Sequence, residues 1–393
     1  MQILWLASWY PNPYEPTNGD FVERHAIAVS KIIPLDLIHV VQTGKNVRTK
    51  DGYVHAKEGN LRELVYSFPF KKWGWVWGWL DKIRYHIKYL FYYRSVLSKY
   101  TRQYGKPDLI HVHVPMKAGL LALEFADYWH IPFIVTEHSS MYDPVAKDTF
   151  FKRSRFFKQN TKKIFEKAAA VTNVSAAIGR RVNALFHLRH TEVIHNVVDT
   201  SQFFYKEKTE NAVFKWLHVS SLYPLKNVEG IIKAFKLLTK ERQDWELTIA
   251  GAAEQNLVDS VYESGLSHKI KFVGELSHKD VAKQMQNSSA LVLFSKHENF
   301  PCVIIEALCC GIPVVSAAVG GVSEAVNSTN GLLVESENIE ALKNAFLKMM
   351  DDYGQYEQEK IARDAASKYA EEVIGNQFFD LYRTVLNNKR SSN

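Results

Sequence analysis

Two glutamates, Glu298 and Glu306, stand eight residues apart around the expected start of an apolar helix. The run 290–294 is typical of a buried parallel strand, and Pro301 suits the first turn of a helix, where a missing N–H does no harm. Glu298 is therefore expected in a loop at the carboxyl end of a strand. Glu306 falls on the helix among apolar side chains.

Glu306 has two interpretations. A helical glutamate is ordinarily a surface residue, but residues 303–308 offer no other polar side chain, so this helix has no obvious polar face. The pattern favours a buried carboxylate kept for a ligand. Carboxylates accept pairs of hydrogen bonds from sugar and ribose hydroxyls, and the open amides of a helix N-terminus bind phosphate. The expected ligand is a sugar nucleotide.

Further motifs surround this pair. They are Gly311-Ile312-Pro313-Val314-Val315, Gly320-Gly321-Val322-Ser323-Glu324, Asn330-Gly331-Leu332-Leu333-Val334, Ser220-Ser221-Leu222 with Lys226, Ile194-His195-Asn196-Val197-Val198-Asp199 and Asn18-Gly19-Asp20-Phe21-Val22. In combination they resemble glycosyltransferase family 4, a family of retaining enzymes with the GT-B fold. The resemblance covers nearly the whole chain.

The resemblance implies an α/β GT-B architecture, with two Rossmann-like, doubly wound domains facing across an inter-domain cleft. At 393 residues the chain exceeds the roughly 250–300 residues over which one core keeps growing. We expect an acceptor-binding domain at 1–198, a polar linker at 199–211 and a nucleotide-sugar-binding domain at 212–393. The last helix is expected in the second domain or packed back on the first.

Short apolar runs alternate with helical patterns, as in doubly wound units. Strands are predicted at Ile3–Ser8, Leu35–Val41, Leu109–Val114, Phe133–Thr136, Trp216–Ser220, Leu247–Ala250, Ile270–Val273, Leu291–Phe294 and Val314–Ser316. Helices are predicted at Asp20–Lys31, Lys117–Tyr128, Asn227–Lys240, Lys279–Asn287 and Ile339–Asp351. Ligands are then expected at the carboxyl ends of the strands.

The resemblance also assigns roles to residues. Glu298 would hold the hydroxyls of the donor sugar, His138 would contact the transferred sugar, and Lys226 would neutralise the diphosphate. The expected donor-binding residues are Gly19, Ser221, Lys226, Asn299, Phe300, Pro301, Cys302, Glu306, Gly320 and Gly321. Tight turns remain the alternative for the three glycines.

Ser221 stands where the family usually has an arginine, which leaves Lys226 as a single cation for the leaving group. A hydroxyl cannot replace the bidentate arginine–phosphate contact. Asn196 also departs from the pattern, because Val197 follows it where the family has glycine.

On the acceptor side we expect His113, Asn196 and Arg153 to contact the acceptor or to support residues that do. His111 and His113 fall at the end of one predicted strand and His138 follows another, and three such histidines could suggest a metal site. They come with no helix-borne carboxylate motif, and GT-B transferases need no metal. We therefore expect neither a metal nor a cofactor, and a UDP- or GDP-linked sugar would be a substrate.

Composition predicts a globular protein of a reducing compartment. The three cysteines all fall in the helix that carries Glu306, without metal-ligand spacing, and are expected to be packed thiols. The N-terminus lacks a positive region and predicts a first strand rather than a signal peptide. No run has the length of a transmembrane helix.

The segment 68–104 combines aromatic and basic residues with a single acid. Such a composition is typical of an interfacial membrane anchor, here carried by Trp73, Trp75, Trp77, Trp79, Lys82 and Arg84. The alternative is a core helix with a solvated basic face. Nucleic-acid binding is a poor alternative because no nucleic-acid motif accompanies the charge. A cytoplasmic protein, peripheral to the inner face of the membrane, is expected.

The functional hypothesis is transfer of a sugar, with retention, from a nucleotide sugar to a lipid-linked or surface-glycan acceptor. Similarity implies a front-side, oxocarbenium-like transition state in which the leaving diphosphate takes the acceptor proton. Two alternatives stay open: a GT-B sugar-nucleotide epimerase, and a non-catalytic relative that binds glycan or nucleotide, which the serine at 221 suggests.

Overall fold

The structure of the chain is a computed structural model that describes residues 1–43, 53–56, 60–71, 73, 78–144, 149–188, 190–208 and 212–390. The chain divides into two compact units. Unit 1 comprises Met1–Val174, Ile178–His195 and Glu371–Asn393, and unit 2 comprises Ser175–Ala177 and Asn196–Ala370.

Unit 1 is built on one eight-stranded sheet with the order β3-β4-β2-β1-β5-β6-β7-β8. Its strands are β1 (Ile3–Ala7), β2 (Leu35–Thr43), β3 (Tyr53–Ala56), β4 (Leu61–Pro69), β5 (Leu109–His113), β6 (Phe133–Glu137), β7 (Ala170–Asn173) and β8 (Thr191–Val193). Only β3 is antiparallel to its neighbour. The helices are α1 (Asp20–Ser30), α2 (Gly78–Tyr104), α3 (Ala118–Trp129), α4 (Arg155–Lys167), α5 (Ala176–Phe186, whose first two residues group with unit 2) and α13 (Glu371–Arg390).

Unit 2 has a six-stranded, fully parallel sheet with the order β11-β10-β9-β12-β13-β14. Its strands are β9 (Phe214–Val219), β10 (Trp245–Ala250), β11 (Ile270–Phe272), β12 (Ala290–Leu293), β13 (Val314–Ala317) and β14 (Gly331–Val334). Its helices are α6 (Val228–Leu238), α7 (Gln255–Glu263), α8 (His278–Asn287), α9 (Cys302–Cys309), α10 (Val322–Ala325), α11 (Ile339–Asp351) and α12 (Gln358–Tyr369).

In each sheet, the strands that follow the first strand lie on one side of it and the later strands lie on its other side, so the strand order reverses at the centre. In unit 1 the reversal lies between β1 and β5, and in unit 2 between β9 and β12. Loops that leave two such adjacent strands at their carboxyl ends run to opposite sides of the sheet, which opens a crevice where ligands bind in doubly wound folds. The fold thus marks one candidate site in each unit.

Buried aromatic side chains hold each unit together. In unit 2, Phe235 stacks on Phe346 with ring centroids 4.4 Å apart, and Trp216 packs on the same ring at 4.7 Å. In unit 1, the indole N–H of Trp5 donates to the hydroxyl of Tyr382 at 3.0 Å, which ties α13 to the central strand. Each aromatic pair adds about 0.5–1.5 kcal/mol beyond its buried area.

The chain's division differs from the simple boundary drawn from sequence. Residues 196–208, which include most of the expected linker, group with unit 2. The last helix belongs to unit 1, because α13 packs on α1 so closely that a Cβ on Gly375 would lie 2.6 Å from the carbonyl oxygen of Ala28. A polar composition does not distinguish a linker from a surface segment.

Candidate functional site

The crevice of unit 2 holds Lys226 and Glu298. Lys226 lies in the loop after β9 and Glu298 in the loop after β12. The Lys226 Nζ is 2.6 Å from Glu298 Oε1, and Ser295 Oγ donates to the same oxygen at 2.7 Å. Two residues 72 positions apart in sequence therefore meet as an ion pair. The reversal of strand order brings them together.

Glu306 is buried on α9, as the sequence predicts, with 4% of its surface exposed. The helix begins at Cys302, and Pro301 takes the N-cap position just before it rather than the first turn. Cys309 and Cys310, both buried, are free thiols. Burial, the neighbouring thiol and Glu306 raise the pKa of Cys309, and burial with Glu306 raises that of Cys310 to about 12. These sulfurs stay protonated near neutral pH.

The two glycines at 320 and 321 make room for the loop that carries Glu298. Gly320 has φ +56°, and a Cβ there would lie 1.7 Å from the carbonyl oxygen of Glu298. The N–H of Gly321 donates to the carbonyl of Asn299 at 2.9 Å. Only glycine fits this close approach, so both residues shape the carboxylate loop from behind.

Asn196 supports the same loop from another side. Its side-chain amide is buried and donates to the carbonyl of Phe300 at 2.7 Å. Asn196 was predicted to contact the acceptor or to support residues that do; its observed contact is with Phe300, which was predicted to bind the donor. Ser221 is exposed in the loop between β9 and Lys226.

The crevice of unit 1 lies between the loops that follow β1 and β5. Ser8 Oγ donates to the carbonyl of Val114 at 2.7 Å and accepts from the N–H of Ala118 at 3.0 Å, which fixes one loop against the other. Gly19, at φ +76°, caps α1, and a Cβ there would meet the backbone of Trp9 at 2.6 Å. Gly19 is thus required by packing, whether or not it also approaches a ligand.

Buried imidazoles line this crevice. His113 Nδ1 and His138 Nε2 are 3.1 Å apart, and His25 packs beside His138 with ring centroids 5.6 Å apart. Burial lowers the pKa of His25 to about 4 and places the pKa values of His113 and His138 well below the usual range. All three are therefore neutral at pH 7 and able to donate and accept hydrogen bonds.

Three histidines together raise the question of a metal. One nitrogen each of His25, His113 and His138 lies within 4.8 Å of the others. Tetrahedral ligands at 2.0–2.1 Å from zinc would be only about 3.4 Å apart. The His113 and His138 nitrogens, 3.1 Å apart, share a hydrogen bond, so these two imidazoles serve each other as donor and acceptor.

Glu137, at the end of β6, organises the loop that carries His138. Its Oε1 accepts from the N–H groups of His138 and Ser139 at 2.8 and 2.7 Å, and its Oε2 accepts from Tyr142 Oη at 2.7 Å. Burial raises the pKa of Glu137 to about 7, although these hydrogen bonds act in the opposite direction. The sequence analysis did not single out this residue.

His111 and Arg153 lie in other surroundings. His111 is buried, with Nδ1 2.8 Å from Tyr382 Oη and Nε2 2.7 Å from Thr136 Oγ1, so it is a core group. The guanidinium of Arg153 lies over the ring of Phe157, 5.1 Å from its centroid.

Helix α2 carries the predicted membrane residues. Trp73 and Trp79 are exposed at 61% and 64%, and Lys82 is exposed too. Arg84 pairs with Asp81 at 2.8 Å and lies 3.4 Å above the Trp73 ring. Trp75 and Trp77 lie outside the described residues.

Besides Glu137, sequence reasoning missed two sets of residues. His25 falls on the buried face of α1 with Val22, Ala26 and Val29, and a polar residue in that apolar stripe was the available signal. On α2, an exposed apolar stripe repeats every four residues, formed by Trp79, Ile83, Ile87 and Phe91. The signal in the sequence was the spacing of four residues between these apolar side chains. Within the described part of the chain, no helix is apolar over a length that would cross a bilayer.

Two family descriptions match this chain. "Glycosyl transferases group 1" matches residues 199–372, and "Glycosyltransferase Family 4" matches residues 53–202. Together they cover most of both units.

Among curated proteins, the glycogen synthase of Mycobacterium tuberculosis is 26% identical over 258 residues, which cover 64% of this chain and 62% of that protein. The putative teichuronic acid biosynthesis glycosyltransferase TuaC of Bacillus subtilis is 25% identical over 401 residues, which cover 96% of this chain and 95% of that protein. The chain thus spans less than two thirds of the glycogen synthase and nearly all of TuaC.

Solved structures share the fold. Sucrose-phosphate synthase from Thermosynechococcus elongatus superposes with a TM-score of 0.79 at 20% identity, over 99% of this chain and 100% of that chain. Anabaena HepE in complex with UDP gives a TM-score of 0.70 at 18% identity, over 98% and 100%. These likenesses confirm the predicted fold class.

Proposed function

Because this chain belongs to glycosyltransferase family 4 and has the GT-B fold, we propose that it is a retaining glycosyltransferase that uses a nucleotide-sugar donor. One observation carries the proposal. The crevice of unit 2 holds a cation and a carboxylate in contact, Lys226 and Glu298, at the position where doubly wound sheets bind ligands.

The Lys226–Glu298 pair suits a ligand that carries both phosphate and hydroxyl groups. A diphosphate would attract the ammonium of Lys226, and the freed carboxylate of Glu298 would accept from sugar hydroxyls. The N-terminus of α9 follows the same loop, and the backbone N–H groups of a helix start are groups that bind phosphate. Glu306, further along α9, would take the ribose hydroxyls.

Catalysis in this proposal consists of positioning and of stabilising charge on the departing phosphate. Lys226 and the α9 amides do the second, and Glu298 orients the sugar. His138, on unit 1, is a neutral partner for a hydroxyl group. The leaving diphosphate takes the proton of the acceptor hydroxyl. No metal and no cofactor takes part, because this chain's own cation faces the phosphate.

The known proteins support the nature of the donor and acceptor. HepE was solved in complex with UDP, and in other crystals with UDP and glucose. A UDP-linked sugar is therefore the first donor to test, with GDP-linked sugars as the second class. TuaC is named for teichuronic acid biosynthesis, which favours a surface-glycan or lipid-linked acceptor, held by unit 1 through His113 and neighbouring groups.

We place the enzyme at the inner face of the membrane, docked through α2. The stripe Ile83, Ile87 and Phe91 is exposed at 48%, 61% and 72%. Its next helical rows carry Arg84 and Lys88. An apolar stripe flanked by cations suits the surface of an anionic bilayer. Co-sedimentation with anionic vesicles should fall as salt rises, and Ile87→Ser with Phe91→Ser should release the protein.

The test is to measure by NMR whether the protein turns over any of a panel of UDP- and GDP-sugars. Each sugar nucleotide is tested with and without a glycan or lipid acceptor. A donor should first reveal itself by thermal shift, since a ligand at 100 times its dissociation constant stabilises a protein by about 2.7 kcal/mol. Transfer predicts that nucleoside diphosphate release accelerates with acceptor. Conversion of one sugar nucleotide into another without acceptor would make the protein an epimerase, and binding without any turnover would make it a non-catalytic relative.

A further inference from the structure

An open groove of about 1200 Å³ runs along the outside of unit 1. Helix α3 forms its floor through Leu120 and Leu123, while α2 and α4 form its walls with Leu90 and Phe156. The first three of these side chains are half-buried, and Phe156 is 52% exposed. The groove exceeds the roughly 300–1,000 Å³ typical of pockets for small ligands. It therefore has room for a long apolar chain.

The charge of the groove is uneven. Lys163 and Lys167 lie one helical turn apart on α4, so both ammonium groups can reach a single anion. Among the described residues, neither has a carboxylate partner. Two acids line the groove. Arg94 binds Glu124 through hydrogen bonds of 2.7 Å to each carboxylate oxygen, so Asp127 is the acid that Arg94 does not neutralise. Lys389 also lines the groove, and its ammonium donates to the carbonyl of His130.

The groove is continuous with the apolar stripe of α2. Leu90 lies between Ile87 and Phe91 in sequence, one helical step around the same helix, and points into the groove. The ring of His86 contacts Phe156 edge-on at 5.1 Å, which joins the two walls at one end. The exposed apolar stripe of α2, the apolar floor on α3 and the two lysines of α4 thus form one surface.

From this combination we infer that the groove binds one anionic phospholipid of the membrane, with an acyl chain along Leu90, Leu120 and Leu123 and the phosphate against Lys163 and Lys167. The inference rests on the proposed membrane docking and deepens it. A zwitterionic lipid carries its own cation beside the phosphate and so gains less from the two lysines, and a soluble anion would leave the apolar floor in water. An acidic phospholipid satisfies both.

The experiment is native mass spectrometry of the full chain, released from detergent with phosphatidylglycerol or phosphatidylcholine. Wild type should retain one phosphatidylglycerol and at least tenfold less phosphatidylcholine. Lys163→Gln/Lys167→Gln should lose most of the adduct. The matched control is Lys236→Gln/Lys240→Gln, two exposed lysines with the same spacing in unit 2, and it should behave as wild type.

A second variant separates a built site from general attraction to anions. Leu123→Trp fills the floor while it keeps every charge, and circular dichroism should show an unchanged fold. It should abolish the adduct but still co-sediment with anionic vesicles. Equal retention of both lipids by wild type, or wild-type retention by Leu123→Trp, would overturn the groove site. If wild type does not co-sediment at all, the membrane docking itself fails.

Discussion

The sheets of both units reverse their strand order at the centre, but the two units line the crevices there with different chemistry. Unit 2 places an ion pair there, Lys226 with Glu298, and unit 1 places neutral imidazoles, His25, His113 and His138. Charge suits a ligand that is itself charged, such as a diphosphate, whereas neutral donors and acceptors suit hydroxyl groups. The scaffold therefore sets where a crevice opens, and the side chains at the ends of two strands set which ligand groups each crevice suits.

Burial explains why the crevice of unit 1 holds neutral imidazoles while that of unit 2 holds an ion pair. The imidazoles of unit 1 are nearly or fully buried, and a charge there would be costly, so their pKa values lie below the usual range. In unit 2, a quarter of the Lys226 side chain is exposed, so its charge keeps water contact until a ligand arrives.

The largest effect is expected from Lys226→Ala. It removes the cation that faces the phosphate and leaves Glu298 without its ion-pair partner. Losing a charged hydrogen bond costs about 1.5–3 kcal/mol, so donor affinity should fall roughly 10- to 150-fold. Calorimetric titration with the donor measures it, and Lys236→Ala on the exposed face of α6 is the control. Unchanged affinity would mean that the phosphate is held elsewhere.

Glu298→Gln and Glu306→Gln should each reduce turnover by about 10- to 100-fold with the fold preserved, because each replaces a charged acceptor by a neutral one. The two variants are distinguished by the part of the donor that each glutamate is proposed to bind, the sugar for Glu298 and the ribose for Glu306. Affinity for the free nucleoside diphosphate should fall in Glu306→Gln but stay within about threefold in Glu298→Gln. Wild-type rates in both purified variants would remove the carboxylates from the site.

In unit 1, His138→Ala should lower turnover by roughly tenfold and leave nucleoside diphosphate affinity unchanged, because the proposal assigns the nucleotide to unit 2. A single neutral hydrogen bond contributes about 0.5–1.5 kcal/mol. His113→Ala serves as the comparison. Calorimetry and steady-state rates are measured on the same preparations, and a loss of nucleotide affinity in His138→Ala would contradict the division between the units.

Acid should destabilise the protein through its buried imidazoles. The pKa of His25 is about 4 in the fold against about 6.5 unfolded, so between these values the unfolded chain binds more protons. Stability is complete above pH 6.5 and is lost as pH falls toward 4. His25 alone should cost about 2 kcal/mol between pH 7 and pH 5. Denaturant unfolding of His25→Asn should show a smaller loss than wild type, whereas parallel curves would contradict a buried neutral imidazole.

The smallest effect is expected from Ser221→Arg. Ser221 is exposed beside Lys226, so an arginine has room there and could add a second cation for the diphosphate. Donor affinity should be unchanged or up to about tenfold tighter by calorimetry. A marked weakening would show that the serine itself contacts the donor.

Sequence alone located unit 2 better than unit 1. The central strands of both sheets were predicted within a few residues, because buried parallel strands appear as continuous apolar runs. The strands β3, β4, β7, β8 and β14 were missed: β3, β7, β8 and β14 are short, and β4 carries Arg62 and Glu63. The pair of glutamates was found, and burial of Glu306 follows from its apolar neighbours.

Contacts between distant segments were beyond sequence reasoning. No local pattern pairs Lys226 with Glu298, or brings His25 from α1 to His113 and His138. Gly320 and Gly321 were predicted as donor-binding or turn residues, while their observed role is to admit the backbone of Glu298 and Asn299. Such close approaches depend on the packing of β12 against β13, which only the fold supplies.

The most direct test of the central claim is the anomeric outcome of donor cleavage. The protein, treated with EDTA, is incubated with the α-linked nucleotide sugar that binds best, and the first sugar released to water or to an acceptor is followed by proton NMR before it mutarotates. If the enzyme retains the anomeric configuration and needs no metal, the first products are the α anomer of the sugar and free nucleoside diphosphate. Release of the β anomer first, or cleavage only after a divalent metal is added, would contradict the account.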